Sequence, residues 1–491
     1  MGRYHWYVLA LAALGWMFDT MDQQIFTASR SITMRDLLAG QPDPVRTQIG
    51  SYCTSIFIVG WATGGLIFGA IGDRWGRAKT MALTILVYAL FTGLSAISHN
   101  WYEFALFRFL TGLGVGGEFA AGAALIAEVV PEAARARALG FMQSLSAVGN
   151  IIGATLFGLI EPVWGWRGIY VVGAFPALLA VVVRLGMKEP EKWVAAKAAA
   201  VETKARLGSL RDLLGVPRWR RNALVGLALA VAGVIGLWGV GFYSPELIDK
   251  TLPAMDAPTK ERISAVVAAE TPRAHARALK LMDENAKRRY DDLLRMCRLP
   301  GEEVAAGTKL DAGRRGRLQA LLEKSLEPAA MTGLKFKALV LQQIGAFFGM
   351  FFFGVAAVRF GRRPAFLVSF ILGWGSIALT FLTFDEAWQV WYLWPILGFG
   401  ALAPFGGYAL YFPELFPTRL RTTGTGFCYN VGRYIAASGP PLLAATASFF
   451  DGKYTVPGFK LAAVVVASSY LIGIVALVWA PETKDQPLPE D

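Results

Sequence analysis

The sequence predicts an all-α membrane protein, in which twelve transmembrane helices form two pseudo-symmetric six-helix halves and an extra helical hairpin lies between helices 7 and 8. Of the 491 residues, 55% are hydrophobic and only 17% are charged, whereas ordinary globular domains are about a quarter charged. The apolar residues are concentrated in runs of about twenty, long enough to cross a hydrocarbon core of roughly 30 Å. The two halves of the chain also repeat the same motifs.

Twelve apolar segments qualify as transmembrane spans. Helix is the expected conformation of each, because lipid offers no water to the backbone groups. The first is expected to be an uncleaved helix, since no small-residue cleavage site precedes its acidic cluster. The spans cover residues 6–30, 50–71, 79–98, 102–128, 137–160, 167–187, 222–243, 336–358, 364–383, 388–411, 423–446 and 459–480.

Basic residues predict the orientation of these spans. Arginine-rich connections follow spans two, four, eight and ten, all on one side, and the positive-inside rule makes that side and both termini cytoplasmic. The net charge of +12 is explained by such loops beside anionic lipid, so no nucleic-acid partner is expected. We expect a monomer in a bacterial inner membrane. Its predicted regions are the N-terminal half 1–187, the cytoplasmic linker 188–221, the C-terminal half 222–480, the extracytoplasmic insertion 244–335 within that half, and the cytoplasmic tail 481–491.

The repeat identifies the insertion independently. Two motifs recur 285 or 286 positions later, whereas spans one and seven begin only about 216 positions apart. The difference of about 69 residues must therefore lie between spans seven and eight. The recurring motifs are Arg74-Trp75-Gly76-Arg77 with Arg359-Phe360-Gly361-Arg362, and Glu128-x-x-Pro131 plus Arg135 and Arg137 with Glu414-x-x-Pro417 plus Arg419 and Arg421.

Charged residues inside the spans are the candidates for function. Asp19 and Asp22 are neighbours on one helical face, and carboxylates at such depth are costly and usually mark an ion or proton path. The alternative is a structural pair, each carboxylate hydrogen-bonded to a neighbouring helix. Glu118 is either a second proton site or the distant partner of Arg108, which itself is either substrate-binding or structural.

Arg433 lies ten residues into span eleven, about 15 Å from its start at the helical rise. An arginine at that depth needs an acidic partner or an anionic ligand, and its planar fork suits a carboxylate bidentately. Two roles for Arg433 remain open: it forms part of a substrate or proton site, or it forms a structural ion pair with an acidic residue. Buried amides are also expensive in lipid and tend to line a cavity; the candidates are Gln143, Asn150, Gln342 and Gln343.

The loop between spans two and three resembles the signature loop of the major facilitator superfamily. It reads Gly69-x-x-Gly72-Asp73-Arg74-Trp75-Gly76-Arg77-x-Lys79, with glycines, acid and bases at the family's spacing. The resemblance implies that this loop forms a charge lock with Glu128 and Arg137 that holds the outward-facing state. Val358 stands where the second copy would have the aspartate, so a weaker lock is expected from Arg359, Gly361, Arg362, Glu414, Arg419 and Arg421.

Four features resemble the organic-acid:proton symporters of that superfamily, of the aromatic-acid and sialic-acid types. They are Asp19-x-x-Asp22, Gly117-Glu118, Tyr429-Asn430-x-Gly432-Arg433, and the stretch from Pro413-Glu414 to Arg421. On this basis Tyr429 and Asn430 are implied to bind substrate beside Arg433. Span five lacks the proline of drug/proton antiporters, whereas sugar porters share several of the loop motifs.

We therefore expect a secondary active transporter that carries a small organic anion, a carboxylate metabolite, in symport with protons by alternating access. Its partners would be the small-molecule substrate, protons and the lipid bilayer. A sugar or zwitterion porter or a uniporter of the same superfamily is the first alternative, and a non-transporting membrane receptor the second. No nucleophile–base set, Walker loop or metal-ligand spacing is visible, so no catalytic residue, cofactor or metal is expected.

Overall fold

The computed structural model consists of helices joined by turns. Within the part of the chain that it describes, every regular element is helical, so the predicted all-α class is confirmed. The described residues are 1–176, 182–183, 186–203, 206–252, 280, 287, 328–436 and 439–490.

The N-terminal half is built from long helices, and the fifth is interrupted at Gly165. The φ of 65° at Gly165 lies in the left-handed region that favours glycine, and it falls between the predicted fifth and sixth spans. Two shorter helices follow in the predicted linker. In order, the helices are α1 (Arg3–Leu37), α2 (Asp43–Trp75), α3 (Arg77–Ser95), α4 (Trp101–Val129), α5 (Glu132–Gly173), α6 (Glu191–Thr203) and α7 (Leu210–Gly215).

The described part of the C-terminal half also consists of helices. Most of the hairpin predicted within 244–335 falls outside the described residues. The helices are α8 (Pro217–Gly239), α9 (Ser244–Thr251), α10 (Pro328–Phe360), α11 (Arg362–Thr383), α12 (Val390–Glu414), α13 (Arg421–Ala436), α14 (Gly439–Phe450), α15 (Gly458–Ala467) and α16 (Tyr470–Ala476).

Nine helical segments in the described ranges are long and apolar enough to cross a membrane. Predicted spans one, six and eleven are not among them, so the count of twelve remains a prediction. Span one is nevertheless one continuous helix, α1, whose hydropathy is lowered by polar residues at its middle. The nine segments are Gln48–Trp75, Arg77–Ser95, Trp101–Val129, Glu132–Glu161, Pro217–Leu237, Leu334–Phe360, Arg362–Thr383, Ala387–Glu414 and Gly458–Ala476.

The chain divides into two compact units. The first comprises Met1–Tyr243, Val340–Thr383 and Tyr392–Asp491, and it contains all the residues of the candidate functional site. The second comprises Ser244–Leu339 and Phe384–Trp391. In the second, the side chain of Gln389 accepts hydrogen bonds from the backbone N–H groups of Asp385 and Glu386 and so closes a short turn.

Glycines allow close contacts between helices in the first unit, and these contacts recur in both halves. A Cβ on Gly60 or Gly64 of α2 would lie 2.3 or 2.0 Å from a carbonyl oxygen of α4. A Cβ on Gly345 or Gly349 of α10 would lie 2.0 or 2.2 Å from a carbonyl oxygen of α12. Only glycine permits such an approach. The pairs α2–α4 and α10–α12 are thus equivalent, and the sequence repeat extends to the packing.

Candidate functional site

Asp22 forms an ion pair between α1 and α4. Its Oδ2 lies 3.3 Å from Nη1 of Arg108, with both side chains fully buried. The Thr92 hydroxyl donates to Oδ1 of Asp22 at 2.6 Å. Of the two alternatives for Arg108 and Glu118, the geometry therefore rejects the pair between them, because the partner of Arg108 is Asp22.

The guanidinium of Arg108 contacts hydroxyl groups and an aromatic ring in addition to Asp22. It donates to the hydroxyls of Thr92, Ser95 and Thr111 at 3.0 to 3.2 Å. Its central carbon also lies 4.9 Å from the ring centre of Tyr170, a cation–π distance. Because Nε, Nη1 and Nη2 all make contacts with protein groups, the geometry of Arg108 fits a structural role.

Asp19 has a different neighbour, Glu118 of α4. Both carboxyl groups are buried, and none of their oxygens has a hydrogen-bond donor among the described residues. The two groups are close enough to share a hydrogen bond if one is protonated. Glu118 also fits against Gly15, where a Cβ would lie 2.4 Å from Oε1. Two buried carboxylates in contact cannot both be ionised, so a proton shared between them is the arrangement that satisfies both.

Arg433 is a buried cation that is bound by neutral groups. Its side chain is 3% exposed, and Nη1 donates to the carbonyl oxygen of Tyr429 at 2.7 Å and to Oδ1 of Asn430 at 2.8 Å. Its Nε has no acceptor, and no carboxylate of the described chain lies within 4 Å of the guanidinium. The predicted structural ion pair with an acidic residue is therefore not seen in the described ranges.

Aromatic rings enclose this guanidinium. Its central carbon lies 4.1 Å from the ring centre of Trp61 on α2 and 4.3 Å from that of Tyr429 on α13. Tyr429 in turn stacks on Phe119 of α4, with centres 3.9 Å apart, and Trp16 of α1 lies 4.8 Å from Phe119. We call Trp16, Trp61, Phe119, Tyr429 and Arg433 the aromatic–arginine cluster. It joins both halves of the chain.

The predicted amides lie in three places. Nδ2 of Asn150 donates to Oε1 of Gln343 at 3.2 Å and links α5 to α10. Nε2 of Gln342 donates to the carbonyl oxygen of Gly241 at 3.5 Å. The amide of Gln143 is buried beside the Tyr429 hydroxyl, and its Oε1 lacks a donor. Gln143 is thus the predicted amide that reaches the aromatic–arginine cluster.

Asn430 fastens α13 to α4. Its Nδ2 donates to the carbonyl oxygens of Gly426 at 3.1 Å and Gly116 at 3.4 Å. A Cβ on Gly65 of α2 would lie 2.0 Å from the same nitrogen. Asn430 therefore packs where three helices meet, and its Oδ1 orients Arg433.

Asp73 joins the two halves at the end of the helices where the arginine-rich connections lie, which we call the basic-loop end. Its carboxylate accepts hydrogen bonds from the backbone N–H groups of Thr422 at 3.1 Å and Thr423 at 2.9 Å, and from the Thr423 hydroxyl at 2.6 Å. These residues are in the first turn of α13, where the positive end of the helix dipole favours an anion. A Cβ on Gly69 would lie 3.0 Å from the Thr422 carbonyl oxygen and one on Gly72 2.8 Å from the Thr422 side chain, so both glycines permit the contact.

A chain of buried charges continues from Asp73. Arg77 lies 3.1 Å from Asp73 and 3.0 Å from Glu128, and Glu128 lies 2.7 Å from Arg421 of the other half. All four side chains are fully buried. The predicted participation of Arg77 and Glu128 with this loop is seen here, and Arg421 of the second copy belongs to the same network.

Arg137 is not part of this network, and this expectation was wrong. Its side chain is exposed, whereas Arg135, two residues earlier on α5, is buried. A uniform shift of 286 positions pairs Arg135 with Arg421 and Ala136 with Thr422. The helix contacts agree with this pairing. A Cβ on Gly354 would lie 2.9 Å from the carbonyl oxygen of Ala136, and a Cβ on Gly69 would lie 3.0 Å from the carbonyl oxygen of Thr422. Arg135 is therefore the true counterpart of Arg421.

The second copy of the loop forms its ion pair inside one half. Arg362 binds Glu414 through two nitrogens, at 3.0 and 2.8 Å. Arg359 stacks on Phe360 at 5.4 Å. Arg419 lies 2.9 Å from Asp212 of α7, and Arg74 donates to the carbonyl oxygens of Leu207 and Gly208. The linker thus contacts the first copy of the loop through Arg74 and the connection between spans ten and eleven through Arg419.

One glutamate caps the helix after each loop, which the sequence reading missed. Glu189 accepts from the backbone N–H groups of Arg77, Ala78 and Lys79 at 2.7 to 3.3 Å. Glu482 accepts from those of Arg362 and Arg363 at 2.9 and 3.0 Å. The preceding glycines, Gly76 and Gly361, have φ of 123° and 98° and leave room for these carboxylates. The sequence does contain a common feature that indicates these caps: a glutamate follows two residues after the last predicted span of each half.

The aromatic members Trp16, Trp61 and Phe119 also went unnoticed. An apolar span is rich in aromatic residues, and only their approach to Arg433 distinguishes these three. In the described ranges, no group of three His, Cys, Asp or Glu side chains is placed to hold a metal ion.

Comparison with known proteins agrees with this architecture. Residues 12–258, half of the chain, match the family described as Major Facilitator Superfamily. A putative metabolite transport protein of Haemophilus influenzae is 25% identical over 99% of both chains. The cis,cis-muconate transport protein of Acinetobacter baylyi is 26% identical over 88% of this chain and 85% of its own. The solved proton:xylose symporter XylE, bound to 6-bromo-6-deoxy-D-glucose, shares the fold with a TM-score of 0.62 at 15% identity, covering 99% of this chain and 98% of its own.

Proposed function

This chain belongs to the Major Facilitator Superfamily, and on that premise we propose that it carries a small organic anion across the membrane in symport with protons. As a multi-pass member of this superfamily it binds a small-molecule substrate within the bilayer. We place it in the bacterial inner membrane as a monomer with both termini cytoplasmic, following the positive-inside distribution of its loops. The muconate relative transports a dicarboxylate, which fits the same substrate class.

The observation that carries the proposal is the guanidinium of Arg433. It is buried and charged, and its described hydrogen-bond partners are a carbonyl and an amide oxygen. A buried cation without a counter-ion is costly, and a carboxylate substrate would supply both the charge and an acceptor for the free Nε. The planar faces of Trp61 and Tyr429 on the guanidinium suit an unsaturated or aromatic carboxylate.

Proton binding is assigned to Asp19 and Glu118. Each carboxyl group lacks a donor in the described chain, and a proton between them satisfies both. Asp22 neutralises Arg108, so in this scheme Asp22 keeps its charge and holds α1 against α4.

The two sites are mechanically connected through rings. Trp16 precedes Asp19 by three residues on α1, and Phe119 follows Glu118 directly on α4. Both rings pack against the Tyr429 ring beside Arg433. Losing the proton would separate Asp19 from Glu118 by repulsion and would move Trp16 and Phe119 relative to Tyr429. Substrate at Arg433 and proton at the pair would thus influence each other, as symport requires.

Alternating access then requires the basic-loop end to open and close. The Asp73 contacts to α13 and the Glu128–Arg421 pair cross between the halves, so they have to break when substrate leaves on that side. With this end cytoplasmic, the arrangement described here is closed to the cytoplasm.

Uptake into proteoliposomes tests the proposal. We expect an inwardly directed proton gradient, with the outside acidic, to drive accumulation of labelled cis,cis-muconate or benzoate. We also expect the free carboxylate to compete with uptake at a much lower concentration than its methyl ester does. Protein-free liposomes control for passive entry of the protonated acid. Equal competition by acid and ester, or transport of a neutral sugar without dependence on the pH gradient, would instead support the sugar porter or uniporter alternative.

A further inference from the structure

A groove on the outer surface of the C-terminal half lies between α8 and α16. It has a volume of about 520 Å³, and both of its walls belong to candidate membrane spans. Its apolar rim residues are exposed: Leu224, Ile472, Val475 and Trp479 range from 46 to 56%. Exposed apolar side chains on such helices face lipid, so the groove is open to the acyl chains of the bilayer.

Cations stand at one end of this groove. Arg220 and Arg221, the fourth and fifth residues of α8, line it and are exposed. Nη2 of Arg221 donates to the carbonyl oxygen of Trp479 at 3.2 Å, which fixes the guanidinium at the rim beside an exposed tryptophan. Tryptophan and arginine in this combination are typical of the headgroup level of a membrane. Neither arginine forms an ion pair with a described carboxylate.

We infer that this groove binds one anionic phospholipid, with its phosphate at Arg220 and Arg221 and an acyl chain along the wall that ends at Ala228. From Arg221 to Ala228 the helix rises about 10 Å, which fits within the roughly 15 Å of hydrocarbon in one leaflet. Basic pockets between transmembrane helices bind such headgroups through charge. The inference is independent of the proposed substrate, because none of these residues belongs to the transport site.

Native mass spectrometry of the purified full-length protein tests this inference. Phosphatidylglycerol and phosphatidylcholine with identical acyl chains are added to separate samples. We expect phosphatidylglycerol to remain bound preferentially, and the Arg220→Gln/Arg221→Gln variant to bind it about ten- to thirtyfold more weakly, on the scale of two basic residues at a membrane surface. Arg206→Gln/Arg211→Gln is the matched control, since it removes two exposed basic residues of the linker that precedes α8 and should bind as wild type does.

A second variant tests the groove itself. Ala228→Phe places a large side chain in the apolar part of the groove and keeps both arginines. It should therefore also weaken the binding of phosphatidylglycerol, while size-exclusion chromatography shows that the variant remains folded. Three results would overturn the inference: equal retention of the two lipids by wild type, equal loss in the control pair, or displacement of the lipid by inorganic phosphate at the same concentration, which would indicate a simple anion site.

Discussion

Nη1 of Arg421 lies 2.7 Å from Oε1 of Glu128, and the two residues belong to opposite halves of the chain. Glu128 also binds Arg77 at 3.0 Å, so one buried carboxylate holds two guanidinium groups. Removing one member of such a network leaves buried charge unpaired, at a cost of about 3–5 kcal/mol. In the second copy, Glu414 binds Arg362 of its own half, and no described ion pair within 4 Å joins Glu414 to the N-terminal half. Closure at the basic-loop end therefore depends unequally on the two copies.

The first prediction follows from this asymmetry. Glu128→Gln should shift the protein toward states that are open at the basic-loop end, because it removes an ion pair that crosses between the halves. Spin labels on the exposed residues Ala133 and Arg363 report the distance between the halves by electron–electron double resonance, and we expect a larger population of long distances. Glu414→Gln is the matched control and should change this distribution much less; the same shift in both variants would contradict the asymmetry.

The second prediction concerns Arg433. Arg433→Lys keeps the charge but loses the planar fork and its stacking between two rings, so we expect binding of a carboxylate substrate to weaken by about 1–3 kcal/mol, the scale of a charged hydrogen bond. Trp61→Leu, with Arg433 intact, should weaken it by about 1–2 kcal/mol through the lost cation–π contact. Competition against uptake by a carboxylate and its ester measures both. Variants that keep the wild-type preference for the carboxylate would show that Arg433 is structural.

The third prediction separates two aspartates that lie three residues apart. Asp22→Asn leaves Arg108 without its described acidic partner, so we expect a loss of about 3–5 kcal/mol in stability. Asp19→Asn instead replaces one of two adjacent acids with a group that can donate to Glu118, so its stability should equal or exceed that of wild type. Thermal unfolding of the purified variants in detergent gives the comparison.

Transport measurements test the proton role of Asp19 separately from stability. Asp19→Asn should lose accumulation driven by a pH gradient and retain counterflow of substrate, because it cannot release the shared proton. A destabilised Asp19→Asn protein, or one with normal pH-driven accumulation, would remove the proton role from this pair.

The fourth prediction concerns Glu482, in the tail outside the spans. Partial burial opposes ionisation of Glu482, but backbone N–H groups of Arg362, Arg363 and Lys484 outweigh it and hold the pKa of the carboxyl below its usual range. A lowered folded-state pKa stabilises the folded protein above the unfolded pKa of about 4.3, and the benefit is lost as pH falls through the lower folded value. Glu482→Gln should therefore lower the melting temperature slightly near pH 7, and the difference from wild type should shrink as the pH falls below about 4. Asp485→Asn, which removes an exposed neighbouring acid, controls for the loss of one negative charge in the tail.

Much of this architecture could be predicted from the sequence, because it depends on local properties. Apolar length specifies a helix in lipid, and the recurrence of Arg74-Trp75-Gly76-Arg77 as Arg359-Phe360-Gly361-Arg362 indicated two related halves. The depth of Asp19, Asp22 and Arg433 marked them as unusual, since charge within a span is costly wherever it points. Each of these features can be recognised from the sequence of the segments themselves, without knowing which helices pack together.

The tertiary structure decided which residue each side chain faces. Asp19 and Asp22 share a helical face, yet at about 100° per residue they differ by about 60° around α1 and 4.5 Å along it, so one meets Glu118 and the other Arg108. Arg135 and Arg137, two residues apart, point in nearly opposite directions on α5, so only packing determines that Arg135 is buried. Arg433 is bound within its own helix by Tyr429 and Asn430, but Trp61 of α2, which is distant in sequence, reaches its guanidinium only through packing. Spacing along one helix fixes the angle between its own residues, but the identity of the neighbour depends on how the helices are rotated against each other.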